Sequence, residues 1–178
     1  GLATGFAEFD RMTSGLQPSD LIIIAGRPSM GKSALATSMV EYVGIELKKS
    51  VAFFSLEMAK EQLVQRMLCS QARVDAHKVR SGFLSPSDWP NLTSAAGKLS
   101  ASKIYIDDTP AISALELRAK ARRLKSKFDI QLLVLDYLQL MRGMYKTDNR
   151  QQEISEISRS IKALARELKI PIIALSQL

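Results

Sequence analysis

The sequence predicts an α/β domain built on a mostly parallel, twisted sheet with helices on both faces. Three observations predict it. Five short runs are almost continuously apolar, as strands covered on both faces should be. Between them stand helix-patterned segments with readable ends, the alternation that crossover connections in a parallel sheet require. A chain of 178 residues, 46% of them hydrophobic, is also long enough to bury one sizeable core.

The elements follow in chain order. "LIIIA", residues 21–25, reads as the first strand, and a helix begins near Lys32 behind a glycine turn. "VAFFSL", residues 51–56, reads as the second strand, followed by the helical pattern "MAKEQLVQRML". Around "SPSDW" the next helix is expected to have Ser85 as its N-cap, Pro86 at its first position and Asp88 in its first turn. Trp89, Leu92, Ala96 and Leu99 then fall at core spacing. "IYID", residues 104–107, is the third strand. "SALE", residues 113–116, has capping-box spacing and opens a basic helix carrying Arg118, Lys120, Arg122, Arg123, Lys125 and Lys127. "LLVLD", residues 132–136, is the fourth strand. The clearest helix spans residues 150–169, where Ile154, Ile157, Ile161, Leu164, Ala165 and Leu168 make one stripe. Pro171 closes it before "IIALS", residues 172–176, the last strand.

Composition narrows the function classes. The apolar runs are far shorter than the ~20 residues of a membrane span, and the first residues lack the pattern of a signal peptide. A soluble, cytoplasmic protein with no membrane partner is expected. Cys69 is the only cysteine, so no intramolecular disulfide can form, and one cysteine with one histidine argues against structural zinc. The net charge of +7 favours a polyanionic partner, although many basic domains never touch nucleic acid.

The stretch "GRPSMGKS" carries the chemistry. Gly26, Gly31, Lys32 and Ser33 fit G-x-x-x-x-G-K-[ST], with a strand before and a helix after. Glycines let the backbone curl so that its N–H groups face phosphate oxygens, and the helix adds its positive end. The candidate nucleotide-binding residues are therefore Gly26, Arg27, Pro28, Ser29, Met30, Gly31, Lys32, Ser33 and Ala34. Lys32 is expected to reach the β- and γ-phosphates of ATP, and Ser33 to offer its hydroxyl to Mg²⁺. A phosphate cradle alone does not hydrolyse, so partners are sought at the carboxyl ends of the other strands. Asp136 ends one strand, where it either holds the magnesium through water or merely terminates the strand. Glu57 ends another, where it either orients the attacking water or sits in the first turn of the next helix, whose positive end favours a carboxylate. Gln177 ends a third, placing a neutral amide where it could feel the γ-phosphate.

These points, with the words around them, resemble the RecA-like motor domain of bacterial replicative DNA helicases of the DnaB type. The matching text includes "TGFAEFDRMTSGL", "AGRPSMGKS", "FFSLEM", "RVDAHKVRSG", "IYIDDTP", "RAKARRLK", "LDYLQLMRG" and "DNRQQEISEISRSIKALARELKIPIIALSQL", which together cover nearly the whole chain. The resemblance implies a RecA-like P-loop NTPase core over residues 1–178, the front portion of one ATPase motor domain. It implies that Glu57 is the catalytic glutamate, with Lys32, and that Gln177 senses the γ-phosphate from a strand lying between those of the phosphate loop and Asp136. It also implies a homohexameric ring, ATP and Mg²⁺ between subunits, single-stranded DNA through the ring, and primase and a helicase loader as partners. The family's amino-terminal domain, its arginine finger and its main DNA-contacting loop are expected to lie outside this chain, and unwinding is expected to be lost without them.

Two basic groups invite a further reading. Arg142, Lys146 and Arg150 lie in the polar connection 142–152, which in RecA-like rings faces the central channel, so they are candidate phosphate contacts on DNA. A solvated loop is the alternative. The basic helix from Arg118 to Lys127 either presents charge to water or forms a docking surface for a neighbouring subunit or a linker. Two other functions share most of these features: a RecA-type recombinase or related ATPase, and a nucleotide-gated binding module without turnover.

Overall fold

The computed structural model describes residues 1–27, 31–142 and 149–177. Chain order is α1 (Ala7–Thr13), β1 (Leu21–Gly26), α2 (Lys32–Glu41, continued by a wider turn through Tyr42–Glu46), β2 (Val51–Ser55), α3 (Lys60–Ala72), α4 (Ala76–Ser81), α5 (Asp88–Ala101), β3 (Ile104–Asp107), α6 (Ala114–Phe128), β4 (Leu132–Asp136), α7 (Arg150–Leu168) and β5 (Ile172–Gln177). A short 3₁₀ turn, Leu138–Leu140, follows β4. The five strands form one sheet in the order β1-β5-β4-β2-β3, and every neighbouring pair is parallel. From the edge strand β1 the chain crosses to β2 and β3 and then returns through β4 to β5. This reversal opens a crevice at the carboxyl ends of the strands.

Successive strand residues face opposite sides, and the apolar runs feed two packed layers. Val51, Phe53, Leu132 and Val134 pack with Met39 and Val40 of α2 and with Leu63 and Met67 of α3. Ala52, Phe54, Leu133 and Leu135 pack with Leu117 and Ala121 of α6 and the Ile157, Ile161 and Leu164 stripe of α7. All five expected strands are present, within one residue at their ends. Ser113 caps α6, its Oγ accepting from the Glu116 N–H at 3.1 Å, and Asn149 caps α7 through the Gln152 N–H at 3.2 Å. Cys69 is buried in α3. Gly44 lets the turn after α2 lie against β3, since a Cβ there would come within 2.4 Å of Ile104. Among the described residues no helix is long and apolar enough to cross a membrane.

The start of α5 differs from expectation. Ser87, not Ser85, stands at its N-cap position, and Pro86 lies in the preceding turn, because the Asp88 carboxylate accepts from the Ser85 N–H at 2.9 Å and folds that segment into the turn. The buried position of the helix is Ala95, with Leu92 and Leu99 partly buried, while Ala96 is exposed. Val79 and Leu84 join Leu92 and Ala95 in a small satellite core, and Trp89 is left 60% exposed.

Candidate functional site

The phosphate loop sits where strand and helix put it. Gly26 ends β1 beside Gln177 of β5, and Gly31 caps α2 with φ 79°, a left-handed conformation that glycine adopts without strain. Among the described residues, chain neighbours aside, no atom lies within 4 Å of where a Cβ on Gly31 would stand. Lys32, Ser33 and Ala34 form the first turn of α2. A cavity of about 460 Å³ opens in front of them, lined by Gly31, Lys32, Ser33, Ala34, Glu57, Met58, Gln62, Arg66, Asp136, Tyr137 and Gln177. Arg27 is exposed and does not line it. Pro28, Ser29 and Met30 lie outside the described residues.

Residues from four strand ends therefore meet at one place. Ser33 Oγ donates to Asp136 Oδ2 at 2.9 Å, joining the helix after β1 to the end of β4. Lys32 Nζ donates to the main-chain carbonyl of Ser176 on β5 at 2.8 Å, and it lies 6.0 Å from the centre of the Tyr137 ring. The Asp136 side chain is buried, which pushes its carboxyl above the ordinary carboxylate range. The hydrogen bond from Ser33 opposes that shift, the Glu57 charge adds to it, and Lys32 and Arg66 pull it down. A buried carboxylate paired with a hydroxyl beside a phosphate loop fits Mg²⁺, which typically takes one or two protein oxygens and fills its remaining positions with water and phosphate. Ser33 and Asp136 are the pair that could hold it.

Glu57 stands in the bend between β2 and α3, three residues before Lys60, and not in the helix's first turn. Ser55 Oγ donates to the Met58 carbonyl at 2.7 Å and closes the turn that carries Glu57. The main-chain N–H of Lys60 is taken instead by Asp108 Oδ2 at 2.8 Å. Glu57 lines the same cavity as Lys32. Gln177 ends β5, which lies between β1 and β4 as the resemblance implied.

Sequence reasoning missed Met58, Gln62, Arg66 and Tyr137. Gln62 and Arg66 stand four residues apart on α3, and that spacing places both on the cavity face. The spacing was legible; which face it served was not. Of the basic candidates, Arg142 has its Nε on the Ala111 carbonyl at 2.8 Å, and its main chain pairs with Ile112 and Ala114. Arg150 holds the main-chain carbonyls of Gln139 and Met141 and pairs with Glu153. Lys146 lies outside the described residues.

A phosphate loop after the first strand, with a carboxylate two strands away across a parallel sheet, defines a P-loop domain of the RecA-like class. Residues 1–178 match the family described as DnaB-like helicase C terminal domain, and the chain belongs to that family. It is 56% identical to "Replicative DNA helicase DnaB" of Geobacillus stearothermophilus and 55% identical to "Replicative DNA helicase DnaC" of Bacillus subtilis (strain 168). Each match covers all of this chain and 39% of the relative, so the chain spans about two fifths of their length. Two solved structures superpose on all of it, each with a TM-score of 0.95. One is described as "The Structure Of A DnaB-Like Replicative Helicase And Its Interactions With Primase", at 36% identity over 43% of that chain. The other is described as an ATPase domain, at 38% identity over 64% of that chain.

Proposed function

We propose that this domain is the ATP-hydrolysing motor of a replicative DNA helicase, which moves along single-stranded DNA and unwinds duplex DNA at the replication fork. The observation that carries this reading is the meeting of Lys32, Ser33, Asp136 and Glu57 around one open cavity at the carboxyl edge of the sheet. Loop N–H groups and Lys32 hold the β- and γ-phosphates of ATP. Ser33 and Asp136 would hold Mg²⁺, the serine directly and the aspartate through water. When bound, that cation neutralises charge on the phosphate oxygens. Glu57 takes a proton from the attacking water or orients it, and the Gln177 amide registers whether the γ-phosphate is present.

The names of the relatives favour a helicase over a recombinase or a module without turnover. By the same family relationship the working assembly is a homohexamer in the cytoplasm, with ATP at subunit boundaries and with primase and a helicase loader as partners. Arg142, Lys146 and Arg150 are the side chains assigned to DNA phosphates, a sequence-independent and salt-sensitive contact. In the full-length protein, steady-state ATP hydrolysis is expected to rise when single-stranded DNA is added. Glu57→Gln is expected to lower DNA-stimulated kcat by about 100-fold or more while leaving ATP affinity within about threefold. Turnover unaffected by that substitution would remove Glu57 from its role. Turnover indifferent to DNA would sink the motor reading.

A further inference from the structure

Strands β4 and β5 pair only from Leu133–Ile172 to Leu135–Ala174. Beyond that register β5 runs on through Ser176 and Gln177, while the chain after Asp136 turns away into the 3₁₀ turn Leu138–Leu140. The peptide groups at the end of β5 have therefore lost their β4 partner. Gln139 stands in its place. Its Oε1 accepts from the Gln177 N–H at 3.1 Å, and its Nε2 donates to the Gln177 carbonyl at 3.0 Å and to Ser176 Oγ at 2.8 Å. A carboxamide matched donor-to-acceptor against the N–H and C=O of one strand residue does what a neighbouring strand would do, and its orientation is fixed by that match.

The same residue touches two other parts of the molecule. Ser176, whose hydroxyl Gln139 holds, presents its carbonyl to Lys32 Nζ at 2.8 Å. The Gln139 main-chain carbonyl accepts from the guanidinium of Arg150 at the start of α7. The packing of this turn is carried by its neighbours, since Leu138 and Met141 are buried while Gln139 is only half-buried. The hydrogen-bonding capacity of its side chain is spent on the end of β5.

We propose that Gln139 is a positioning residue for the nucleotide site: its carboxamide, replacing the absent β4 ladder, sets the direction of Gln177 and of the Ser176 carbonyl, and its main chain ties both to Arg150. Nucleotide that draws Lys32 from the Ser176 carbonyl then shifts a strand end held by Gln139, and Arg150 feels the shift. The inference rests on the reading of Gln177 and Arg150 given under the proposed function.

The test is steady-state ATP hydrolysis by the full-length protein, with and without oligo-dT, in wild type, Gln139→Leu, Gln139→Glu and Ser176→Ala. In Gln139→Leu the ratio of DNA-stimulated to basal turnover is expected to fall about tenfold with KM for ATP within about twofold, the size of coupling that one or two neutral hydrogen bonds carry. Gln139→Glu keeps the acceptor for the Gln177 N–H and loses both donors, so its ratio should lie between wild type and Gln139→Leu. Ser176→Ala removes one partner without touching the core and should lower the ratio about twofold, which keeps the test open if the leucine variant does not fold. An unchanged ratio in Gln139→Leu overturns the proposal. So does a loss shared equally by KM, kcat and melting temperature while Ser176→Ala remains wild-type, because that pattern marks a purely structural residue. A wild type that DNA does not stimulate sinks the motor reading itself, and that outcome is distinguished by appearing before any substitution is made.

Discussion

At the scale of single residues, the site holds a carboxylate that the fold alone does not want. Asp136 is 6% exposed, and burial raises its carboxyl above the usual range in spite of the Ser33 hydroxyl and the charges of Lys32 and Arg66. A raised acid binds its proton more tightly folded than unfolded, so the ionised form costs stability at neutral pH and the cost disappears as pH falls through the folded pKa. Asp136→Asn keeps an acceptor for Ser33 and removes the charge. Without cation or nucleotide, the variant is expected to be more stable than wild type by about 1 kcal/mol at neutral pH. The difference should shrink as pH is lowered into the carboxylate range, where wild type becomes neutral too. Chemical denaturation in chelator across that range checks it, and Mg²⁺-dependent nucleotide affinity should be lost in parallel. A variant less stable than wild type at neutral pH would contradict this account of the burial cost. Lys32, Ser33 and Asp136 were legible in the sequence because phosphate and metal chemistry demands particular residue types at fixed distances from a strand end, whereas Glu57 stood between two readings until the family resemblance favoured one. Gln139 was not legible, because its partners lie 37 and 38 residues away and become neighbours only once β5 is placed.

At the scale of elements, the chain declares its helices where caps and periodicity agree. Helix α7 has both: Asn149 at its start, an apolar stripe along it, and Lys169 in the left-handed conformation at its end. Helices α1 and α4, with 7 and 6 residues, are too short to display a period and passed unread. In α5 the periodicity was present and its starting point was wrong, since the carboxylate that caps the turn is Asp88 itself. Charge on the outer helices was legible as charge but not as pairing. Arg118 and Arg122 of α6 both reach Glu167 of α7, at 3.0 and 2.6 Å. The hydrogen bond from Arg122 is the main reason that the Glu167 carboxyl falls from 4.5 to about 2. For a depressed acid the stabilisation is full above the unfolded value and is lost as pH falls through the folded one. Glu167→Gln is therefore expected to destabilise the domain above pH 4.5, with the gap to wild type closing as pH falls toward about 2. These side chains are partly exposed, so the neutral-pH effect should stay below ~1 kcal/mol and weaken in salt. Urea titrations of both proteins at several pH values test it; a gap that widens in acid reverses the assignment.

At the scale of the whole molecule, the nucleotide site depends on two cores that share one sheet. Phe53 and Phe54 are neighbours on β2, both essentially inaccessible, yet Phe53 belongs to the layer under α2 and α3 and Phe54 to the layer under α6 and α7. The two layers therefore stand on the same backbone hydrogen bonds, and melting of either is expected to disturb the pairing of β2 with β4. The candidate site draws on both sides of that arrangement: Lys32 and Ser33 begin α2, while Asp136 leads toward α7. Losing either layer should consequently remove nucleotide binding along with the fold. Phe53→Ala and Phe54→Ala are each expected to cost about 3–5 kcal/mol. Each should also lower the denaturation midpoint of the entire domain, with helical circular dichroism and bound fluorescent nucleotide lost together. If Phe54→Ala instead unfolded half of the helical signal in a first step and left nucleotide bound through it, the layers would be independent units, and the site would owe its geometry to the α2 side alone.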